Sequence, residues 1–340
     1  MDKRLTLEKI AELTGTSKST VSRVLTGKGY VAPEVRKAVL QVMEEQGYRP
    51  RRSRKKNNVR DMVMVIASQL NSEVQVILAN SIRSCLQTQG KKTAIVSVDF
   101  GSDELYDYIE YARDREFAGI ILLGALDTDE LRSTMNQLSC PVVLLNQTIE
   151  GLRASQVEMM DYESGYQATK YLLDKGHRKI AFLNGYVNAV AVADRERGFC
   201  DAMADAGILA DEITIAYKDF TQESGGQFAE EIVAKGLPYT AVIAANDLLA
   251  IGLLRRLQCL GVSVPDQVSI VGFDDTLAAR VCYPSITTVG YDFAAMGEAL
   301  AKLLLEQIEK PLMSPKTLAF SAELSERGSV KEVSKKEKIS

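Results

Sequence analysis

The chain carries two hydrophobic rhythms, and the change from one to the other divides it. Over residues 5–48 apolar positions recur at helical spacing. Leu7, Ile10, Ala11 and Leu13 form a stripe behind Thr6, which suits an N-cap. Gly15 breaks that helix, Ser17 can cap a second over 17–25, and Val21, Val24 and Leu25 share one face of it. Gly27 and Gly29 end this helix. Pro33 suits the first turn of a third, with Val35, Ala38, Val39, Val42 and Met43 on its apolar side and Gly47 closing it. From residue 62 onward short continuous apolar runs appear instead, at 62–67, 94–98, 119–123, 142–145, 180–183, 241–245 and 268–272. Amphipathic stretches at 75–88, 162–175, 195–206 and 247–260 lie between them. Repeated βα units with continuous apolar strands predict parallel sheets covered on both faces. Two such sets fit the length, joined near Asp161. Each half would be doubly wound, which makes a cleft between them the default ligand site.

Charge sharpens the division. Residues 1–60 hold 15 Lys and Arg against 6 Asp and Glu, a net +9, whereas residues 61–340 hold 26 against 39, a net −13. A basic head on an acidic body implies that the head meets a polyanion and the body does not. Residues 49–61 offer no apolar side chain besides Pro50 and Val59, and seven of the thirteen are Lys or Arg, so they read as a linker. No apolar run approaches the roughly 18 residues of a membrane span. The N-terminal MDKRLTLEKI has no apolar segment of the secretory kind, so a cytoplasmic protein is expected. The five cysteines (Cys85, Cys140, Cys200, Cys259, Cys282) form no CxxC pair and are expected as reduced, mostly buried thiols.

Residues 5–25 have the form of a helix-turn-helix. Ala11 lets two helices cross closely, Gly15 supplies the turn, and Val21 packs the second helix down. Lys18, Ser19, Ser22 and Arg23 then point outward, short or basic donors that suit base edges and phosphates in a major groove. A purely structural three-helix module fits a basic polar face poorly.

At this point the chain resembles the lactose-repressor family over about residues 1–330. The resemblance rests on AELTGTSKSTVSRVL (11–25), VxxxVRxxV with GYRP (31–50), GHRKIAFLNG (176–185) and RERGF (195–199). It continues through AND (245–247), VSIVGFDD (268–275), PSITTV (284–289) and ERGS (326–329). It implies an all-α helix-turn-helix headpiece plus an α/β periplasmic-binding-protein-like body of two doubly wound parallel-sheet subdomains. The expected division is a DNA-binding domain at 1–48, a basic hinge at 49–61, an effector-binding and dimerisation domain at 62–330 and a polar tail at 331–340. Within the body one subdomain takes about 62–160 and 291–321, the other about 161–290 and 322–330, with crossings near Asp161, Tyr291 and Ala322.

By the same resemblance Lys18 and Ser19 occupy the main specificity positions and Arg23 another base-contacting one, while Ser17, Thr20 and Ser22 position the helix, with Thr6 and Leu7 contributing from the helix before. The hinge departs from the family: Asn57 stands where a leucine often wedges into the minor groove, and Arg52, Arg54, Lys55 and Lys56 replace small residues beside it. Phosphate contacts are expected there instead of intercalation. The resemblance places Asn146, Arg195, Phe220, Asn246 and Asp274 in the effector site. Bland readings stand beside these: Asn246 and Asp247 suit a helix cap, Asp274 and Asp275 a turn, Arg195 a surface charge, Phe220 loop packing. The opposite wall, at Gln69, Asn71 and Glu73, departs from the family's commoner Asn-Pro-Phe-Phe pattern, so it does not name the ligand.

An enzyme is not expected. The single histidine, His177, reads as structural, and no cofactor or metal motif occurs. The expected protein is an effector-responsive regulator, most simply a repressor of carbohydrate-utilisation genes, binding a palindromic operator in double-stranded DNA as a homodimer. A transport-type sugar-binding protein and a corepressor-dependent regulator of nucleobase metabolism are the alternatives.

Overall fold

The computed structural model describes residues 6–26, 29–45, 61–68, 70, 72–99, 101–185 and 190–333. The chain divides into two compact units, Met1–Asn58 and Val59–Ser340. In the first, α1 (Leu7–Leu13), α2 (Lys18–Thr26) and α3 (Pro33–Glu45) enclose a small core of Ile10, Ala11, Val21, Val24, Val39 and Met43. The Thr6 hydroxyl accepts the Lys9 N–H at 3.3 Å, and the Ser17 hydroxyl accepts that of Thr20 at 3.1 Å, so both helices start on a capped donor. Gly15 turns the chain at φ +60°, a conformation that costs glycine nothing. Two residues of the expected apolar faces point outward instead: Leu13, 49% exposed, and Ala38. Leu13 lies about 160° around the helix from Ala11, and α1 is too short to bury two faces.

The second unit is built from twelve strands among the described residues: β1 (Met62–Ser68), β2 (Lys92–Val98), β3 (Gly119–Leu123), β4 (Val142–Leu145), β5 (Ser155–Met159), β6 (Ile180–Asn184), β7 (Thr214–Tyr217), β8 (Ala241–Ala244), β9 (Ser269–Phe273), β10 (Thr287–Gly290), β11 (Thr317–Phe320) and β12 (Glu323–Ser325). Its helices are α4 (Glu73–Thr88), α5 (Glu104–Asp114), α6 (Asp129–Met135), α7 (Asp161–Asp174), α8 (Val190–Asp205), α9 (Gln222–Ala234), α10 (Asp247–Cys259), α11 (Leu277–Val281) and α12 (Phe293–Glu309). The strands form two six-stranded sheets, β11-β5-β4-β3-β1-β2 and β12-β10-β9-β8-β6-β7. Pairing is parallel except that β12 runs antiparallel to β10.

The continuous apolar runs are explained by double coverage. On β1, Val63, Val65 and Ala67 pack with Leu78 and Ile82 of α4 and Met296 and Leu300 of α12. Met64 and Ile66, pointing the other way, pack with Ile109 of α5 and Leu131 of α6. A strand buried on both faces cannot alternate apolar with polar. The chain passes from the first sheet to the second between Met159 and Asp161, returns at Tyr291, and crosses again between Phe320 and Glu323. In each sheet the strand order reverses at its first strand, between β1 and β3 and between β6 and β8. Ligand crevices of doubly wound sheets form at the strand C-termini beside such reversals.

Two glycines set the spacing of α7 and α8. A Cβ on Gly165 would lie 2.2 Å from the Arg195 carbonyl oxygen, and one on Gly198 would lie 2.1 Å from that of Tyr162. The helices therefore touch backbone to backbone, which fixes where Arg195 starts. His177 is 1% exposed. Its Nδ1 lies 3.0 Å from the Thr240 hydroxyl and its Nε2 3.0 Å from the Lys331 carbonyl; burial holds its pKa below the ordinary histidine value. All five cysteines are free thiols, but Cys259 is exposed and the other four are only half-buried. The expectation of mostly buried thiols is corrected on that point: Cys259 ends α10, beyond the face that the helix buries. Among the described residues no helix is long and apolar enough to cross a membrane, and no group of three His, Cys, Asp or Glu has metal-binding geometry.

Candidate functional site

In the head, Ser17 just before α2 and Lys18, Ser19 and Arg23 on it are exposed, with Thr20 and Ser22 half-buried. The Ser17 hydroxyl lies 2.7 Å from that of Ser19 and 2.9 Å from that of Thr20, so the start of α2 presents a linked set of donors and acceptors. Lys18 is paired with Glu8, which holds the Glu8 carboxyl below its ordinary pKa. Both side chains are exposed, so a phosphate or base can take Lys18 at small cost. The Arg23 stem lies along Gly29, its Cδ 3.6 Å from where a Cβ would stand. Thr6 is exposed. Leu7 packs against the head core, so what it can offer a phosphate is its backbone N–H in the first turn of α1. Arg52, Arg54, Lys55, Lys56 and Asn57 lie outside the described residues.

In the body a buried polar network sits where the chain crosses between the sheets. Asp161 opens α7 and is 1% exposed. One carboxylate oxygen accepts Arg195 Nε at 2.8 Å and the Tyr291 hydroxyl at 3.2 Å. The other accepts Asn146 Nδ2 at 2.7 Å. Arg195, 6% exposed, also donates through Nη1 to the Ala245 carbonyl at 2.7 Å, and its guanidinium carbon lies 4.5 Å from the Phe273 ring centroid. Burial works against its charge, but the carboxylates of Asp161 and Asp274 outweigh that and raise its pKa. Burial, together with Asp161, pushes the Tyr291 phenol above its ordinary value.

A second network holds the loop after β9. Asp247 is fully buried. Its Oδ2 accepts the Thr276 N–H at 2.7 Å and hydroxyl at 2.9 Å, and its Oδ1 accepts the Thr288 hydroxyl at 2.8 Å. Burial and the nearby Asp274 push its pKa up to about 7. The loop it anchors carries Asp274 at φ +100° and Asp275 at φ +54°. Asp274 is pushed up to about 6 by burial, against the pull of Arg195 and with Asp161 and Glu73 adding to the rise. Asp275 is tied to Arg280 and to Arg327; burial would raise its pKa, but these two hydrogen-bonded cations lower it. A cavity of about 330 Å³ lies here, walled by Glu73, Val74 and Ile77 of α4 on one side and Asp274 to Leu277 with Arg280 on the other, with Tyr291 to Ala294 forming the crossover. Glu73 spans it: its carboxylate accepts the Leu277 N–H at 3.0 and 3.2 Å.

The five residues expected at an effector site fall into different situations. Asp274 lines the cavity. Arg195 and Asn146 meet at Asp161, but both ends of the Asn146 amide are occupied, since its Oδ1 accepts the Met159 N–H at 2.9 Å. Asn246 caps α10, its Oδ1 accepting the Leu249 N–H at 2.8 Å. Phe220 lies with its ring against Gly185, where a Cβ would come within 1.9 Å of the ring, so it stands over the end of β6. Gln69 and Asn71 are outside the described residues. Asp161, Tyr291 and the anchoring role of Asp247 were not found by sequence reasoning as site residues. The available signal was an acidic residue directly at a strand-to-helix junction, repeated at Asp161 and Asp247.

Comparison with known proteins follows the same division. Residues 6–51 match the family model described as bacterial regulatory proteins, lacI family, and residues 169–330 match the periplasmic binding protein-like domain. The chain is 30% identical over 332 residues to the HTH-type transcriptional regulator AscG of Escherichia coli (strain K12), covering 96% of this chain and 98% of that protein. It is 30% identical over 341 residues to the HTH-type transcriptional regulator CelR of Thermobifida fusca, again covering 96% and 98%. Among solved structures, a transcriptional regulator CelR–cellobiose complex is 30% identical with a TM-score of 0.73, covering 96% of this chain and all of that one. A LacI family regulator from Enterococcus faecium with bound ribose is 26% identical with a TM-score of 0.74, covering 80% of this chain and all of that one. With this identity over almost its whole length, the chain belongs to the lacI family of bacterial regulatory proteins, as a transcription regulator with a helix-turn-helix DNA-binding head and a ligand-binding body.

Proposed function

We propose that this regulator is a cytoplasmic, non-catalytic repressor of carbohydrate-utilisation genes, binding a palindromic operator as a dimer and changing its operator affinity when a sugar enters the cleft of the body. The observation that carries the reading is the cavity walled by both halves of the body, with Asp274 open to it. Relatives with bound cellobiose and ribose support the ligand class. On the head, Lys18, Ser19 and Arg23 read bases, with Ser17, Thr20, Ser22 and the first turn of α1 on the backbone and Arg52, Arg54, Lys55 and Lys56 on phosphates. A half-site is too short for one head to define an operator, and a two-fold pair doubles the contact. Leu277, Val281 and Tyr283, close in sequence and 61%, 71% and 90% exposed, are apolar side chains of the kind a second copy covers.

The test is operator affinity by fluorescence anisotropy, with and without cellobiose, ribose and purine bases. A sugar should shift the operator affinity by about 1–3 kcal/mol, and the operator should shift sugar affinity equally. Arg23→Ala should weaken specific binding by about 1–3 kcal/mol while leaving the sugar response intact. A response to purine bases alone would defeat the carbohydrate reading.

A further inference from the structure

We propose that the cleft selects against anionic effectors, so that its ligand is a hydroxyl-rich molecule without negative charge, as opposed to a sugar phosphate or sugar acid. The proposal rests on the reading of this cavity as the effector site and adds the charge class of its occupant. The charged side chains on its wall are Glu73, Asp274, Asp275, Arg280 and Asp292. The single cation among them is already committed: Arg280 donates Nε and Nη2 to the two Asp275 oxygens at 3.2 and 2.9 Å. Arg327, on the far side of Asp275, is bound to the same carboxylate and to the Ile286 carbonyl. Arg195, behind the wall, faces Asp161 and the Ala245 carbonyl.

The carboxylates are unequally engaged. Asp292 caps α12 through the Ala295 N–H at 2.9 Å, and Glu73 holds the Leu277 N–H. Among the described residues no donor is hydrogen-bonded to the carboxyl of Asp274. Among the described residues no Lys or Arg besides Arg280 lines this cavity. A phosphate or carboxylate on the ligand would therefore meet four carboxylates against one arginine on this wall, and would have to share Arg280 with Asp275 to be received. A hydroxyl group can instead donate to Asp274, a charge-assisted bond of the strong kind.

The experiment uses matched pairs with the full chain: glucose with glucose 6-phosphate and gluconate, ribose with ribose 5-phosphate, cellobiose with cellobionate. Thermal unfolding and titration calorimetry near pH 8 are the readouts. The neutral member of a binding pair should bind at least about tenfold more tightly than its anionic twin, as one uncompensated like charge a few ångströms away requires. An anionic twin that binds as tightly or more tightly overturns the proposal while leaving a carbohydrate regulator in place. Binding of purine bases alone would overturn the carbohydrate reading and leave the charge selection standing.

Should no pair bind, the ligand-free chain decides. Asp274 faces Arg195 on α8, Asp161 at the start of α7, Glu73 on α4, Asp247 at the start of α10 and the Tyr291 phenol on the crossover. With more carboxylates than cations around it, Asp274→Asn should unfold at a higher temperature than wild type near pH 8. The difference should shrink as the pH falls through about 6 and vanish only below about pH 4, where the unfolded aspartate is protonated as well. An Asp274→Asn protein no more stable than wild type near pH 8 would show the negative charge to be compensated, and the proposal would fall.

Discussion

The two halves of the body share a strand order but not a chemistry. In both sheets the first strand lies between the second and third, and helices cover both faces. Among the described residues, the first half buries few polar side chains, Thr134, Ser155 and Gln307. The second half and its junctions bury Asp161, His177, Asn184, Arg195, Asp247, Thr287, Thr288 and Ser329, among others. Most of these are tied to one another or to loop backbone, as in Asp161 with Arg195, Asp247 with Thr276 and Thr288, and Ser329 with Thr287. The difference teaches where the site is pre-organised. The second half holds its polar groups in place before any ligand arrives, and the first supplies an apolar wall with one carboxylate that reaches across.

The sharpest way to break this asymmetry is Asp161→Ala. It leaves the Arg195 guanidinium buried without its carboxylate, and removing one partner of a buried pair costs about 3–5 kcal/mol. Urea unfolding should show that loss, and a loss under about 1 kcal/mol would mean that Asp161 does not hold the junction. Asn146→Ala, which removes a neutral partner of the same carboxylate from the first half, should cost only about 1–2 kcal/mol. Next in size is Gly165→Ala. Its Cβ would stand 2.2 Å from the Arg195 carbonyl oxygen, so α7 and α8 must separate, at about 1–3 kcal/mol by the ordinary cost of overpacking. Because that shift moves Arg195, ligand affinity should fall with it.

The pH dependence separates the halves again. Asp247 is pushed up to about 7 and Asp274 to about 6 in the folded chain, above an unfolded aspartate near 4. The folded state therefore binds more protons than the unfolded one between these values. By linkage, these two groups make stability fall as pH rises from about 4 to about 7, then level off. Asp247→Asn should flatten that decline, since an amide can still accept from Thr276 and donate to Thr288. Tm measured from about pH 5 to 8 for both proteins checks the sign; parallel curves would show that Asp247 ionises without penalty.

The same asymmetry explains what the sequence could and could not show. The doubly wound halves were legible because strands covered on both faces must be continuously apolar, as β1, β3 and β8 are. The edge strand β7 and the short β5, β10, β11 and β12 escaped notice because each mixes polar with apolar residues over a few positions. For the site, the family resemblance placed Arg195 and Asp274 among the effector positions. It could not say what each group does there. Asn146, at φ +50°, spends both ends of its amide on Asp161 and Met159. Asn246 spends its oxygen on the helix behind it. Hydrogen-bond direction depends on neighbours that are distant in the chain, such as Tyr291 reaching Asp161 across 130 residues, and no local pattern encodes that.

The smallest expected effect concerns the one carboxylate that the first half extends. Glu73 accepts the Leu277 N–H across the cleft, so the bond exists when the halves are together and favours that arrangement without a ligand. Its contribution is modest because Glu73 is exposed and water competes for both partners. Glu73→Ala removes the bond, lowers the population of the joined form, and makes a ligand that binds between the halves spend more of its affinity on closing them. The concentration of sugar needed for half-maximal response should rise roughly two- to fivefold, while urea unfolding changes by less than about 0.5 kcal/mol. Glu73→Gln keeps an acceptor oxygen for Leu277 and removes only the charge, so its response to a neutral sugar should match wild type. If Glu73→Gln shifted the response as far as Glu73→Ala, the charge of Glu73 would matter more than its bond. If neither shifted it, closure would owe nothing to this contact and would rest on the second half alone.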